Sequence, residues 1–414
     1  MDTLKAALTL VDPASVGFDA ARLSRIDDHL RAYVEDGRLP GLQVMVSRRG
    51  KVVHLSSFGK RDKEAGLPVE ADTIFRIYSM TKPITSVAAM MLFEQGAFEL
   101  TTPVSRFIPS FADARVYLRG NSTKPLTAPV AEPVRIWHLL THTAGLTYGF
   151  LHAHAVDEAY RAAGYEWGWP EGTDLATACD TWARIPLAFQ PGTEWNYSVA
   201  TDVLGRVIEV ASGQSLDSFF ADRIFKPLGM EDTHFSVPEA DRDRLAALYA
   251  VAPGIPGPIR YDVMGEAALK PPSLFSGGGG LVSTTADYHR FTQLLLGRGE
   301  LDGTRLLAPK TIGLMAQNHL PGGHDLETVG RPLYAETNFT GIGFGLGFSV
   351  VLDPIAAKTL SNRGELAWGG AASTAFWVDP VDEVVVILMT QLLPSSTYTI
   401  RTELRQLVYQ ALID

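Results

Sequence analysis

Cysteine is nearly absent from this sequence: Cys179 is the single cysteine among 414 residues. One thiol cannot form an intrachain disulfide or supply a cysteine-rich zinc site, and such scarcity predicts a reducing compartment. Long apolar runs are missing as well. The longest, residues 86–93 and 384–389, are far shorter than the roughly 18 residues that a membrane-spanning helix needs. We therefore expect no membrane partner.

Positive charge is in deficit, because 36 lysines and arginines stand against 46 aspartates and glutamates, a net charge of −10. Nucleic acids and anionic membranes are bound by basic surfaces, so we expect neither as a partner. The first residues carry an early acid, Asp2, and no long apolar core. We therefore expect no secretory signal and a cytoplasmic protein. With 46% hydrophobic and 20% charged residues, the composition is that of a globular chain.

Hydrophobic periodicity predicts strands near both chain ends and helices between them. Apolar residues three and four positions apart in 19–36 indicate an amphipathic helix, and the segments 42–47 and 52–57 indicate a hairpin. The terminal segments favour one layer of sheet and helix, into which the middle of the chain is inserted as a second lobe. Further predicted elements are the helices 79–95, 200–212, 283–296 and 399–412, and the strands 341–352, 372–378 and 384–390.

This pattern predicts one domain over residues 1–414, made of two lobes with a cleft between them. Residues 1–85 with 280–414 are assigned to an α/β lobe and residues 86–279 to a mainly helical lobe. Such a division follows because both chain ends contribute strands, whereas the middle is rich in helical patterns and in loops that contain proline and glycine.

Several common chemistries are excluded by missing motifs. The sequence has no Gly-x-Ser-x-Gly elbow, no Gly-x-Gly-x-x-Gly fingerprint near its start and no His-Glu-x-x-His zinc motif. The four glycines 277–280 lack the lysine of a phosphate-binding loop, so we interpret them as close backbone packing between lobes. His152 and His154 have no third ligand nearby, so we expect no metal and no cofactor.

Ser79 and Lys82 form a Ser-x-x-Lys pattern at the predicted start of a helix. Residues three apart share one helix face, and the helix start favours a developing oxyanion. A buried lysine loses proton affinity, so the pair could supply a nucleophile and its base. The alternative is an N-cap serine beside a solvated lysine. Apolar residues in 74–78 and 84–92 flank the motif and favour the buried, functional pair.

Two further segments could complete such a site. Tyr197 lies in a turn before the predicted helix 200–212, so its hydroxyl could project into a cleft, or its ring could be an aromatic staple under that helix. Gly369 and Gly370 are predicted beside the start of a strand, where glycine lets the backbone approach a ligand closely. There the amide of Ala371 could complete an oxyanion hole. The alternative for this segment is a β-bulge or a pair of edge glycines.

Together these three segments resemble the serine β-lactamase and penicillin-binding-protein superfamily. Its members carry Ser-x-x-Lys first, Tyr-x-Asn or Ser-x-Asn second, and Lys-Thr-Gly third. The resemblance extends over about residues 20–410 and implies an α+β, β-lactamase/transpeptidase-like fold. In that fold an antiparallel sheet is flanked by helices, a mainly helical lobe is inserted, and the active site lies in the cleft between. Segments similar to the class C-like branch are 137–146, 189–192, 227–230 and 279–284.

Departures from the superfamily pattern indicate a particular branch. Val199 stands in place of the asparagine, and Trp368 begins the Trp-Gly-Gly sequence that stands in place of Lys-Thr-Gly. This combination resembles the family VIII carboxylesterases. The missing lysine and asparagine would have bound the carboxylate and amide of a penicillin-like substrate. A tryptophan offers an apolar wall instead, which suits a neutral ester.

The resemblance implies a serine carboxylesterase that acts on short-chain esters through an acyl-enzyme on Ser79. Lys82 and Tyr197 would share the acid–base role, and a small-molecule ester is the expected partner. The alternatives are a β-lactamase, a D-amino-acid peptidase, an acyltransferase, or a catalytically inactive binding homologue. The acyl pocket and the oxyanion hole are assigned to Trp368, Gly369, Gly370 and Ala371.

Two more features are interpreted as supports of the cleft. The turn around His142 is expected to be buried, hydrogen-bonded and structural. The loops 144–175 and 321–340 are rich in glycine, proline and aromatic residues, so they could shape the entrance or pack as ordinary loop aromatics. Their aromatic residues include Tyr148, Phe150, Tyr165, Trp167, Trp169 and Tyr334.

Overall fold

The structure is a computed structural model that describes residues 8–331 and 339–414. The predictions for Asp2 and Tyr334 lie outside the described residues. An eight-stranded antiparallel sheet dominates the fold, which confirms the predicted α+β class. In spatial order its strands are Ile342–Phe344, Ser349–Val351, Leu366–Gly369, Ala375–Asp379, Val384–Thr390, Gly41–Arg48, Lys51–Asp62 and Leu67–Pro68.

The two ends of the chain meet inside this sheet. Gly41–Arg48 pairs antiparallel with Val384–Thr390, with Leu42 opposite Thr390. Residues 86–279 contribute none of the eight strands and contain mostly helices. The smaller pairs of strands are Phe75–Arg76 with Val282–Ser283, Arg115–Gly120 with Pro125–Pro129, Glu300–Leu301 with Thr304–Arg305, and Tyr249–Ala250 with Ile259–Arg260 and Leu392–Leu393.

Helices cover both faces of the sheet and fill the middle of the chain. Within the described ranges, no helix has both the length and the apolar character needed to cross a bilayer. The α-helices are Ala20–Leu23, Arg25–Glu35, Thr81–Glu94, Ile136–Leu140, Ala155–Ala162, Leu175–Arg184, Ala200–Ser212, Leu216–Phe220, Lys226–Leu228, Asp262–Gly265, Thr285–Leu296, Pro309–Met315, Leu326–Val329, Pro354–Ala357 and Ile400–Tyr409.

Alternation along the central strands explains the layered core. Successive side chains of a strand point to opposite faces. Val44 and Val46 therefore pack with residues of the terminal helices, such as Leu30 and Leu404. Met45 belongs to the second core, which contains the buried residues of Thr81–Glu94 and Thr285–Leu296. The sheet thus lies between a terminal helix layer and the helices that carry Ser-x-x-Lys.

Several predicted elements differ from the structure in their bounds. The predicted strand 341–352 is a hairpin, because the chain turns between Phe344 and Ser349, where Gly347 has a φ of +104°. The predicted helix 19–36 is divided at Ser24 into Ala20–Leu23 and Arg25–Glu35. The hairpin Arg115–Gly120/Pro125–Pro129 interrupts the helical middle of the chain and was not predicted.

A buried histidine on Thr285–Leu296 predicts acid sensitivity of the fold. Burial lowers the pKa of His289 from 6.5 to about 4, so the neutral ring stabilises the folded state above pH 6.5. That contribution is lost as the pH falls towards 4. Between pH 7 and pH 5 we expect His289 to lower the free energy of unfolding by about 2 kcal/mol, measured by urea denaturation.

The matched control is His289→Gln, which keeps a polar side chain beside Ser47, whose hydroxyl lies 2.9 Å from His289 Nε2. Other groups titrate in the same range, so the test is the difference in pH dependence between wild type and variant. We expect the variant to lose less stability than the wild type between pH 7 and pH 5. Parallel curves would contradict the prediction.

Candidate active site

Ser79 lies in a short 3₁₀ turn, Tyr78–Met80, directly before the helix Thr81–Glu94. The α-helix therefore starts two residues later than predicted. Tyr78 has a φ of +42°, a left-handed conformation that is rare for a bulky side chain and occurs preferentially at functional sites. The helix makes no side-chain cap hydrogen bond at its N-terminus, so Ser79 is not the N-cap of the alternative interpretation.

Lys82 is buried beside Ser79, with only 1% of its surface exposed. Its Nζ donates hydrogen bonds to Ser79 Oγ at 3.2 Å, to Tyr148 OH at 3.0 Å and to the Gly278 carbonyl at 2.6 Å. An ammonium group has three protons to donate, and all three have acceptors. The structure therefore replaces the water around this cation with a fixed set of oxygens.

Tyr197 completes a compact group with the serine and the lysine. Its ring centroid lies 4.4 Å from Lys82 Nζ, within the range of a cation–π interaction. Its hydroxyl accepts a hydrogen bond from Trp368 Nε1 at 3.3 Å. The structure thus brings together Ser79, Lys82, Tyr197 and Trp368, whose positions span 290 residues of sequence.

The segment 369–371, here called the glycine segment, lies at the end of a strand and not beside the start of one as predicted. Leu366–Gly369 ends there, and the next strand begins only at Ala375. A Cβ on Gly370 would lie 2.4 Å from the Ile77 carbonyl oxygen. Only glycine allows this approach, which holds the segment against the backbone two residues before Ser79.

Two backbone amides near this contact are available to a ligand. The amides of Ser79 and Ala371 donate no hydrogen bond to any residue within 8–331 or 339–414. Both residues line the same cavity. Amides without internal partners are the groups from which an oxyanion hole is built, so the geometry is compatible with the predicted role of both.

Arg401, on the closing helix Ile400–Tyr409, holds the glycine segment from its other side. Its Nη2 donates to the Gly370 carbonyl at 3.0 Å and to the Thr374 carbonyl at 2.9 Å. A Cβ on Gly369 would lie 2.7 Å from the Arg401 Cζ. This contact could not be predicted from the sequence, because no motif links an arginine on the last helix to a strand end 31 residues earlier.

Tyr148 was predicted only as an aromatic residue of an entrance loop. In the structure it belongs to the site itself. Its hydroxyl is a direct partner of Lys82. Burial raises the pKa of Tyr148 well above its ordinary value, and the nearby Asp202 and Tyr197 raise it further. Tyr148 is therefore a neutral phenol at physiological pH. The signal in the sequence was an aromatic residue in a cleft loop, which does not distinguish a lysine partner from a packing residue.

His142 occupies a buried turn, as interpreted from the sequence. Its φ is +56°, and its Nδ1 lies 3.1 Å from Ser198 Oγ. Burial, with a smaller contribution from Lys82, lowers the pKa of His142 well below 6.5. The neutral ring packs against Tyr197 with the centroids 4.9 Å apart, so it supports the side chain of that tyrosine.

These residues open onto a cavity of about 1650 Å³, larger than the roughly 300–1,000 Å³ of most small-molecule sites. The loop aromatics of 144–175 named above all lie on its wall. Among the described residues, no group of three or more His, Cys, Asp or Glu side chains could hold a metal ion. Aromatic residues of the wall are Tyr78, Tyr148, Phe150, Tyr165, Trp167, Trp169, Trp182, Tyr197, Phe235, Tyr261, Phe339, Trp368 and Phe376.

Comparison with known proteins places this site in a family. Residues 26–410 match the β-lactamase family. The chain is 36% identical to protein Rv1367c of Mycobacterium tuberculosis, with 88% of this chain and 89% of that protein aligned. It is 33% identical to esterase EstB of Burkholderia gladioli, with 92% and 93% aligned.

A solved structure gives the same result for the fold. EstCE1, described as a hydrolase with promiscuous acyltransferase activity, superposes with a TM-score of 0.78 at 29% identity, covering 94% of this chain and 99% of that one. The family match, the esterase relative and the structural neighbour are all consistent with the contact between Ser79 and Lys82 described above. The chain therefore belongs to the β-lactamase family of serine hydrolases and is similar to its family VIII esterases.

Proposed function

We propose that this protein is a serine carboxylesterase that hydrolyses short-chain carboxylic esters through an acyl-enzyme on Ser79. The observation that carries the proposal is the contact between Lys82 Nζ and Ser79 Oγ at 3.2 Å, beside a cavity whose wall includes Ser79 and Tyr197. A serine with an adjacent acid–base group is the general arrangement of an activated nucleophile. The relative EstB, which is named as an esterase, supports the reaction class.

In the proposed mechanism, Ser79 Oγ attacks the ester carbonyl carbon while its proton passes to the Lys82–Tyr197 pair. The tetrahedral oxyanion accepts hydrogen bonds from the amides of Ser79 and Ala371. The carbon–oxygen bond to the alcohol then breaks, and the same pair returns the proton to the leaving oxygen. Water then attacks the carbonyl carbon of the acyl-enzyme with the help of the same pair. This step releases the carboxylic acid and restores the Ser79 hydroxyl. Lys82 Nζ lies 4.4 Å from the centroid of the Tyr197 ring, so the two groups are close enough to share this proton.

Trp368 supports a neutral ester as the substrate. It stands where the resemblance places a carboxylate-binding lysine, and its indole packs against Phe344 and Tyr197. An indole N–H that donates to Tyr197 OH cannot provide the charge-assisted contact that an anionic β-lactam needs. The cavity wall at this point is therefore built for an uncharged acyl group.

A direct test compares substrates on the wild-type enzyme. We expect kcat/KM for p-nitrophenyl acetate and butyrate to exceed that for nitrocefin by at least about a hundredfold, because the missing anchor weakens transition-state binding of the β-lactam. Initial rates for all three chromogenic substrates give the comparison. Nitrocefin turnover equal to ester turnover would favour a β-lactamase instead.

Acyl transfer to an alcohol is the second candidate function. The volume of the cavity leaves room for an acceptor beside a short acyl group, and EstCE1 is described as having promiscuous acyltransferase activity. Hydrolysis and transfer share the acyl-enzyme and differ only in the nucleophile that accepts the acyl group. Product analysis with vinyl acetate and added 1-butanol separates them: butyl acetate above the uncatalysed level supports transfer, and acetate alone supports hydrolysis.

A further inference from the structure

A buried carboxylate is connected to Lys82 through a single backbone residue. Asp202 lies in the first turn of Ala200–Ser212 and is 4% exposed. Its Oδ1 accepts hydrogen bonds from Ser276 Oγ at 2.5 Å and from the Gly278 amide at 3.0 Å. The carbonyl of the same Gly278 accepts from Lys82 Nζ. Gly278 therefore links the anion, through its amide, to the cation, through its carbonyl.

The glycine run 277–280 makes this connection possible. A Cβ on Gly278 would lie 2.5 Å from Asp202 Oδ2, and a Cβ on Gly277 would lie 2.8 Å from the Thr201 carbonyl oxygen. Real Cβ atoms do not come so close to their neighbours, so any larger residue would separate this segment from the helix Ala200–Ser212. The run was interpreted from the sequence as close packing between lobes. In the structure, Gly278 of this run packs against Asp202.

The two charges lie in surroundings where neither is stable alone. Lys82 and Asp202 are both buried, and an unpaired buried charge is costly. Burial raises the pKa of Asp202, whereas the Lys82 ammonium and the hydrogen bonds from Ser276 and Gly278 oppose the rise. The other titratable groups that interact electrostatically with this pair are His142, Tyr148, Tyr197 and Cys179.

We propose that Asp202 is a positioning residue: through Gly278 it fixes the Lys82 ammonium beside Ser79 and supplies a counter-charge to this buried cation. This inference rests on the proposed function, because it assigns Asp202 to the same reaction. Among the described residues, the side chain of Asp202 makes no hydrogen bond to Ser79 or Tyr197, so we assign its effect on the reaction to the position and charge of Lys82.

Asp202→Asn tests the proposal in the full chain. We expect kcat for p-nitrophenyl acetate to fall by about tenfold or more, with KM within about threefold of wild type, because the amide keeps the size of the side chain but not its charge. The alkaline limb of the kcat–pH profile should move to lower pH, because removing a buried negative charge disfavours positive charge in the site. A wild-type kcat and profile would overturn the proposal.

Two further variants keep the test decisive if Asp202→Asn folds poorly. Ser276→Ala removes one donor to Asp202 and should lower kcat by about two- to tenfold at constant KM; an unchanged kcat would overturn the proposal. Asp287→Asn is the matched control, because Asp287 is also a buried carboxylate but is hydrogen-bonded to Thr233 and the Asp232 amide. A shift of the pH profile by this control equal to that of Asp202→Asn would also overturn the proposal.

Failure of the proposed function gives a different result. A wild-type enzyme without ester turnover contradicts the carboxylesterase assignment but still contains the Ser79–Lys82 pair. The Asp202 proposal is then judged by the rate at which a fluorophosphonate labels Ser79, measured by mass spectrometry across the same pH range. Asp202→Asn should label about tenfold more slowly than wild type at its optimum, and equal rates would overturn the inference.

Discussion

Ser79→Ala should hydrolyse p-nitrophenyl acetate at least about a thousandfold more slowly than the wild type, because loss of a nucleophile removes the acyl-enzyme route entirely. The fold should be unaffected, since the Ser79 hydroxyl receives only the hydrogen bond from Lys82 among the described residues. Initial rates at saturating substrate and the thermal melting temperature measure the two effects. A variant that keeps more than about a tenth of the activity would contradict the assignment of Ser79.

Ser86→Ala is the matched control for this substitution. Ser86 lies on the same helix, Thr81–Glu94, and is as deeply buried as Lys82. Its hydroxyl has no hydrogen-bond partner within the ranges that the structure covers. The Ser86→Ala variant should therefore hydrolyse the ester at the wild-type rate within about threefold. Fluorophosphonate should label this control and the wild type on Ser79 and leave Ser79→Ala unmodified.

Lys82→Met should lower kcat by about a hundredfold or more, because a positioned acid–base group contributes a factor of this size. Methionine keeps the length of the buried stem but removes all three hydrogen-bond donors. The buried Asp202 then loses its counter-charge, so we also expect a lower melting temperature. Steady-state kinetics and calorimetry on the same preparation measure both effects.

A double variant shows whether the lysine acts together with the tyrosine. If Lys82 and Tyr197 share one proton, then Lys82→Met combined with Tyr197→Phe should be about as slow as the slower single variant. Multiplicative losses would indicate separate roles. Lys270→Ala is the control, because Lys270 is an exposed lysine on the wall of the same cavity; it should retain wild-type kcat within about threefold.

Much of the scaffold could be predicted from the sequence because the relevant signals are local. The hairpin signal of 42–47 with 52–57 and the apolar run 384–390 predicted the central strands, and the structure places Val44 and Met45 in different core layers. The Ser-x-x-Lys spacing indicated the pair Ser79 and Lys82 directly, and the turn before Ala200–Ser212 indicated Tyr197. Each of these inferences needs only neighbouring residues and a known periodicity.

The partners of Lys82 could not be predicted in the same way. Tyr148 and Gly278 reach its Nζ from segments 66 and 196 residues away. Asp202 looks from sequence like an ordinary acid in a first helical turn, where carboxylates are common. Its burial and its hydrogen bond to Gly278 exist only because the glycine run packs against that helix, a tertiary contact with no periodic signature.

The pairing of the two chain ends determines when the site can form during synthesis. Gly41–Arg48 lacks its neighbour Val384–Thr390 until more than 330 further residues have been made. Until then it presents an open strand edge, which is a hazard for aggregation. Ala371 and Arg401 also come late in the chain, so a ribosome-bound fragment can carry Ser79 and Lys82 and still lack the segment that packs beside Ser79. This part of the cavity wall can therefore form only after Val384–Thr390 and Ile400–Tyr409 have emerged, after a loop closure of over 300 residues that favours slow folding.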